Sequence, residues 1–357
     1  MSWLPVSPCG PGCLPPPSAR PRCWTLVVVA RLVALVAVVL GGVGLATLLP
    51  LLPSSVQERS VRRWFAAVLA VLGVRLTRYG PARFGSGVLV VANHVSWLDV
   101  VAMGAVQPVR MLAKREVGGL PVVGALAARA GTIFLDRDRL CSLPAVVTEL
   151  AAALRADAAV GVFPEGTTWC GTSGGSFRPA VFQAALDAGA AVRPVALRYR
   201  LSDGRATTGA AFVGTETLGS SLRRIARLRG MVVELNVLPL LRPGPGEGRR
   251  ELARTTCRAV QQMLSATDST TTSHRDSDRL RVSPSRAAMI SRSTPVPGAP
   301  GNVDASRGHI APDRLADHNL FEAGSELSTG RWRPPRPGIS SLGIGASAGQ
   351  RLDESGE

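Results

Sequence analysis

The chain of 357 residues predicts an α/β fold: a largely parallel central sheet covered by helices, with N-terminal membrane-anchoring helices and a disordered C-terminal tail. Three observations carry that expectation. From about Gly85, short apolar runs alternate with helix-length segments. Thr25–Pro53 is a long apolar segment whose only charge is Arg31. Thr267–Glu357 is a run of Ser, Thr, Arg, Asp, Gly and Pro with little apolar periodicity, too polar to offset its ordering entropy.

Taken in order, residues 1–24 are Pro-, Gly- and Cys-rich and read as irregular. Residues 25–76 read as a membrane anchor followed by an interfacial helix. Leu32–Leu49 gives 18 consecutive uncharged residues, just enough to cross a bilayer core. A cleaved signal peptide is the competing reading, but the apolar run is long for one and no clear small-residue cleavage site follows. Gly41-Gly42 and Pro50 leave a re-entrant hairpin open as well. Val61–Leu76 surrounds the apolar run Trp64–Val74 with Arg62, Arg63 and Arg75, which suits a helix lying in the interface or a second hairpin arm.

Residues 77–266 form the α/β domain. Strands are expected at Val88–Ala92, Val109–Ala113, Thr132–Leu135, Ala159–Phe163, Val192–Leu197 and Val232–Val237. Helices fall between them at Leu98–Val106, Leu143–Arg155 and Ala180–Ala188, with Arg250–Leu264 after the last strand. In open parallel sheets ligands bind outside the carboxyl ends of the strands, so residues just after each strand are the ones to inspect.

Charge narrows the partners. The net charge is +16, with 41 basic against 25 acidic residues, and Lys114 is the only lysine. Such an excess calls for an anionic partner, a membrane surface or nucleic acid. Aromatics make up 4% and no zinc-finger spacing or aromatic-interleaved basic strand is present, so the membrane is preferred and no nucleic acid is expected. The Arg-, Ala-, Gly- and Val-rich composition suits a GC-rich bacterial genome. Cys9, Cys13, Cys23, Cys141, Cys170 and Cys257 are scattered without a C-x-x-C pair. From spacing, neither a disulfide framework nor a metal site is expected, and the active domain should face the reducing cytoplasm.

Four stretches carry candidate chemistry. In Asn93-His94-Val95-Ser96-Trp97-Leu98-Asp99 a buried strand ends in a histidine, and Asp99 follows about one and a half helical turns later, within reach of the imidazole. An imidazole held by a carboxylate is a general base with a fixed tautomer. In Gly131-Thr132-Ile133-Phe134-Leu135-Asp136-Arg137 a strand ends in a guanidinium suited to phosphate, although a solvated Asp–Arg run explains the piece equally well. In Phe163-Pro164-Glu165-Gly166-Thr167 the backbone turns sharply and Gly166 permits close approach of a ligand, unless the turn is merely structural. In Val192-Arg193-Pro194-Val195 the proline removes a ladder donor and marks an edge or a bend, with packing as the default role. Two decoys are discounted. Gly171-Thr172-Ser173-Gly174-Gly175 matches G-x-S-x-G but lacks a preceding strand, and Gly118, Gly119 and Gly124 form no phosphate-binding fingerprint.

Together and in order, these stretches resemble the glycerolipid acyltransferase family, that of the bacterial 1-acylglycerol-3-phosphate acyltransferases, over roughly Arg75–Pro239. The resemblance implies a fold of that kind and a catalytic pair, His94 as general base and Asp99 as its orienting partner. It implies acyl transfer from acyl-CoA or acyl carrier protein to the hydroxyl of a lysophospholipid, with no metal or bound cofactor. Arg137 would bind the acceptor's phosphate, with Glu165, Gly166 and Thr167 shaping the pocket. One departure stands out: members commonly carry an arginine directly after Glu-Gly-Thr, and here that position is Thr168. Either Arg178 supplies the missing charge or the acceptor differs, for example a lyso-ornithine lipid. A lipid hydrolase using Ser173 and a non-catalytic membrane scaffold are the readings from other classes.

Overall fold

The computed structural model describes residues 5–16 and 24–279. Helix α1 (Thr25–Leu48) runs into a short turn and helix α2 (Ser54–Val71), forming a hairpin. Gly42 makes the crossing possible: a Cβ there would lie 2.4 Å from the Trp64 ring, whose Nε1 donates to the Val38 carbonyl at 2.8 Å. Arg31, the one charge of α1, donates to the Ala226 and Leu228 carbonyls at 2.9 and 2.8 Å, so a guanidinium in an apolar helix is satisfied by the domain itself. The outward side of α1 is apolar and bare, with Leu26, Val33 and Leu40 exposed. Among the described residues Thr25–Leu51 is the one helix long and apolar enough to cross a membrane.

Strand β1 (Val74–Tyr79) follows, then β2 (Leu89–Ala92), α3 (Leu98–Val106), β3 (Arg110–Lys114), the short helices α4 (Arg115–Gly118) and α5 (Val123–Arg129), and β4 (Ile133–Leu135). Next come α6 (Leu143–Arg155), β5 (Val160–Val162), α7 (Phe182–Ala188), β6 (Val192–Leu201), α8 (Leu218–Arg227), β7 (Met231–Val237) and α9 (Arg249–Arg279). The sheet order is β1-β7-β6-β2-β5-β3-β4. Strands β2 to β6 run parallel, while β7 is antiparallel to β6 and β1 parallel to β7.

Both faces are covered, which is why the β2 run is apolar at every position. Val90 and Ala92 pack with Leu69 of α2, Leu98 of α3 and Ile225 of α8. Leu89 and Val91 pack with Leu150 of α6, Phe182 of α7 and Leu252 of α9. All six strands expected from the sequence are present. The domain boundary expected at 76/77 falls inside β1, which pairs with β7 from Val74 to Tyr79. Pro194 also departs from an edge position. It lies in a central strand, where the ladder of β6 with β7 stops at Val195 and resumes only as the bridge Val192–Leu241. The missing N–H therefore falls at an irregularity in the pairing. Helix α9 runs past the expected tail boundary to Arg279, and the rest of the expected tail lies outside the described residues.

Candidate active site

Parallel strands deliver their carboxyl ends to one side of the sheet, and this topology assembles the site. β2 and β5 are neighbours, so His94 and Glu165, each just past its strand, meet; β3 and β4 bring Lys114 and Arg137 alongside. His94 Nδ1 lies 2.9 Å from Asp99 Oδ2, with the imidazole 20% exposed and the carboxylate fully buried. The same oxygen accepts from the backbone N–H of Val95 at 2.7 Å and Ser96 at 2.9 Å. Asp99 Oδ1 accepts from the Tyr199 hydroxyl at 2.5 Å. Four donors converge on one carboxylate, so Nδ1 carries its proton toward Asp99 and Nε2 is left as the basic nitrogen.

Burial, then the nearby Asp99 charge, raises the Tyr199 phenol well above its ordinary range, so it stays a neutral donor. The imidazole also stacks on Phe163, centroids 3.9 Å apart and planes 10° from parallel, which fixes the ring tilt. Asn93 serves the frame: it exchanges bonds of 2.8 and 2.9 Å with the Leu197 backbone, tying the end of β2 to β6.

Glu165 is buried and joins two loops, accepting from His94 N–H at 2.7 Å and Gly175 N–H at 2.9 Å. Burial pushes its carboxyl up to about 7, against the pull of those two N–H donors and with Asp99 adding repulsion. A carboxyl raised on folding stabilises the fold fully below its unfolded pKa of about 4.5 and loses that contribution as pH rises through 7. Relative to Glu165→Gln, the wild type should therefore lose about 3 kcal/mol of stability between those values and none above them. Thermal unfolding of both proteins across that range checks this; parallel curves would contradict it.

On the other side of Glu165 the charges are basic and gather around Arg137. Arg137 donates to the Gly166 carbonyl at 2.5 Å, and the Arg178 Nε lies 3.6 Å from where a Gly166 Cβ would stand. Gly166 has φ +75°, and a Cβ would also press Pro5 at 2.7 Å, so this turn needs glycine. Thr167 is half-buried in the same turn. Burial lowers the Arg137 guanidinium, Glu116 opposes that, and Arg178 adds to it. Burial likewise lowers Lys114, with Arg137 adding repulsion. Arg137 therefore sits in the field of two further cations, Lys114 and Arg178, with Glu116 partly offsetting them. Thr168 takes no part: its hydroxyl donates to the Phe212 carbonyl. A cavity of about 580 Å³ opens beside His94, reaching Trp169, Tyr199 and Leu264; Arg137 and Arg178 do not line it.

The structure thus brings together His94, Asp99, Glu165, Gly166, Arg137 and Arg178. Lys114 was visible in the sequence only as the lone lysine, and Tyr199 not at all. Arg193 belongs to the frame, donating from Nε to Phe84 O at 2.8 Å and from Nη1 to Leu238 O at 2.9 Å. Ser173 meets the sulfurs of Cys9 and Cys170 at 3.6 and 3.4 Å, in a loop without a strand before it. Gly124 packs against the Gly118 carbonyl, where a Cβ would stand 2.2 Å away, which gives that glycine run a packing role.

The family model described as Acyltransferase matches residues 73–198. The lyso-ornithine lipid O-acyltransferase of Pseudomonas aeruginosa is 38% identical over 69% of this chain and 95% of that protein. The chain belongs to the acyltransferase family. The 1-acyl-sn-glycerol-3-phosphate acyltransferase of Neisseria meningitidis is 34% identical over 55% of this chain and 77% of its own length. The crystal structure of the 1-acyl-sn-glycerophosphate acyltransferase PlsC from Thermotoga maritima has the same fold, with a TM-score of 0.55 at 18% identity over 68% of this chain and 95% of that one. The matched span of this O-acyltransferase begins at the end of the α1–α2 hairpin and includes His94, Asp99, Arg137, Glu165 and Arg178.

Proposed function

We propose that this acyltransferase moves a fatty acyl group from acyl-CoA or acyl carrier protein to the free hydroxyl of a lysophospholipid, 1-acylglycerol-3-phosphate, giving phosphatidic acid. The observation that carries the reading is an imidazole committed to Asp99 at 2.9 Å, at the same end of the sheet as Arg137 with Lys114 and Arg178 in its field. Nε2 of His94 takes the proton of the acceptor hydroxyl as its oxygen attacks the thioester carbonyl. The tetrahedral intermediate then expels the thiolate, which recovers the proton from His94. A thioester is already activated, so positioning the two substrates supplies much of the rate and no acyl-enzyme is required. Arg137 and its neighbouring cations hold the phosphate and so set the hydroxyl against the imidazole.

The bare apolar side of α1 supports a seat in the cell membrane, with the active domain facing the cytoplasm, where acyl thioesters are found. Leu120, Val122 and Val123, in and beside α5, are also exposed, at 41, 39 and 41%, and α5 packs near α1, which extends the apolar surface beyond that helix. Basic residues close to anionic lipid add attraction of about 1 kcal/mol each.

A second acceptor has a specific observation behind it. Position 168 holds an uncharged threonine, its hydroxyl spent on Phe212, where members of the family commonly carry an arginine, and a relative matched over 95% of its length is named for lyso-ornithine lipid. Membranes containing the protein, given labelled acyl thioester with each lyso-lipid separately, decide between the two. Label in phosphatidic acid supports the first reading; label in ornithine lipid alone transfers the proposal to the second. With either acceptor Arg137→Ala should raise its KM about 10- to 100-fold, the loss of a charge-assisted hydrogen bond, with kcat less affected. An unchanged KM removes Arg137 from the headgroup site.

A further inference from the structure

Spacing along the chain hides a cluster that the fold assembles. Segment 5–16 lies against the rim of the site. Its Thr208 contact, hydroxyl to Cys13 O at 2.7 Å, fastens one end, and Pro5 meets Gly166 at the other. Between them Cys9 and Cys13 face Cys170, which follows the Glu-Gly-Thr turn. The three sulfurs lie within 4.8 Å of one another, Cys9 and Cys170 buried and Cys13 half-buried. Cys9 Sγ accepts from the Cys170 N–H at 3.3 Å, and Cys170 Sγ meets the Thr172 hydroxyl at 3.0 Å and the Ser173 hydroxyl at 3.4 Å.

From this geometry we propose that Cys9, Cys13 and Cys170 bind a thiophilic divalent cation of the zinc class, which clamps segment 5–16 over the active-site loop. Three thiolates around a tetrahedral ion with bonds of about 2.3 Å stand roughly 3.8 Å apart, so the sulfurs need to close by no more than about an ångström. The thiol protons pass to solvent as the ion binds. The fourth position falls to an oxygen, for which the Ser173 hydroxyl is placed against two of the sulfurs, 3.6 Å from Cys9 Sγ and 3.4 Å from Cys170 Sγ. N–H and O–H donors around the sulfurs are the outer shell that a thiolate site needs. A disulfide is the weaker account, because it joins two sulfurs and leaves the third without a role. The clamp also explains how a proline-rich segment with little regular structure holds its place beside Gly166 and His94. Pro15, beyond the last cysteine, lines the cavity next to the imidazole.

The test uses the full chain, purified in detergent under reducing conditions without an affinity tag that binds metal. Wild type and Cys141→Ser, an exposed thiol outside the cluster, should each carry about one equivalent of zinc. Cys9→Ser and Cys13→Ser, both outside the sheet, should bind it at least tenfold more weakly. Cobalt(II) should give thiolate charge-transfer absorption in wild type that is lost in these variants. Loss of zinc should also expose the segment to protease cleavage before Thr25. Zinc content and cobalt(II) spectra indistinguishable between wild type and the Cys9→Ser, Cys13→Ser double variant overturn the proposal. So does a disulfide between two of the three cysteines, found by peptide mass spectrometry in the reduced preparation.

Discussion

His94→Ala should lower kcat for acyl transfer by about 10²- to 10⁴-fold, the range expected when a positioned general base is removed, while the acceptor's KM stays within a few-fold. The split follows from the geometry. His94 projects from the end of β2 with Nδ1 committed to Asp99, so Nε2 is its one free basic nitrogen, while the cations stand on β3, β4 and the loop after β5. The ring stacks on Phe163 and does not hold the cations together, so the variant should fold. Steady-state rates on a short-chain lyso-lipid and a soluble acyl thioester separate the two constants. A fall in affinity with kcat intact would make His94 a binding residue instead.

Asp99→Asn should cost about 10²- to 10³-fold in kcat at little cost in folding, whereas Asp99→Ala should cost stability as well. Asparagine can keep its oxygen where three donors meet, those of His94, Val95 and Ser96, and turn its amide toward the Tyr199 hydroxyl, which is able to accept. The tautomer survives, and what is lost is the negative charge that stabilises the imidazolium formed in the transition state. Alanine instead leaves two backbone N–H groups and a phenol buried and unpaired, at about 1–3 kcal/mol each. Because Asp99 acts through His94, His94→Ala with Asp99→Asn should be no slower than His94→Ala alone. Additive losses would show that Asp99 works elsewhere.

Much of this was legible from residues alone. The run Val88–Ala92 reads as a doubly covered strand because every position is apolar, and the parallel topology that follows places the His94, Arg137 and Glu165 stretches at one edge. The misses have two causes, arginines that mask an apolar period and partners far apart along the chain. β1 reads Val-Arg-Leu-Thr-Arg-Tyr, and an edge strand open to solvent tolerates arginines that hide its period. Helix α8 is so rich in arginine that its apolar stripe, Leu222, Ile225 and Ala226, is easily passed over. Tyr199 sits in β6, a hundred positions from Asp99, and only strand pairing brings them together. The departure at Thr168 was visible, but that its hydroxyl serves the Phe212 carbonyl was not. The three cysteines fail any spacing rule because their third member comes from another loop.

The fate of the acyl group tests the central claim most directly. Membranes bearing wild type or His94→Ala are given labelled acyl thioester and a lyso-lipid acceptor, and diacyl product, free fatty acid and released thiol are measured together. Diacyl product should equal the thiol released in wild type, and neither should rise above background in His94→Ala. Label appearing mainly as free fatty acid, abolished by Ser173→Ala and untouched by His94→Ala, would contradict it.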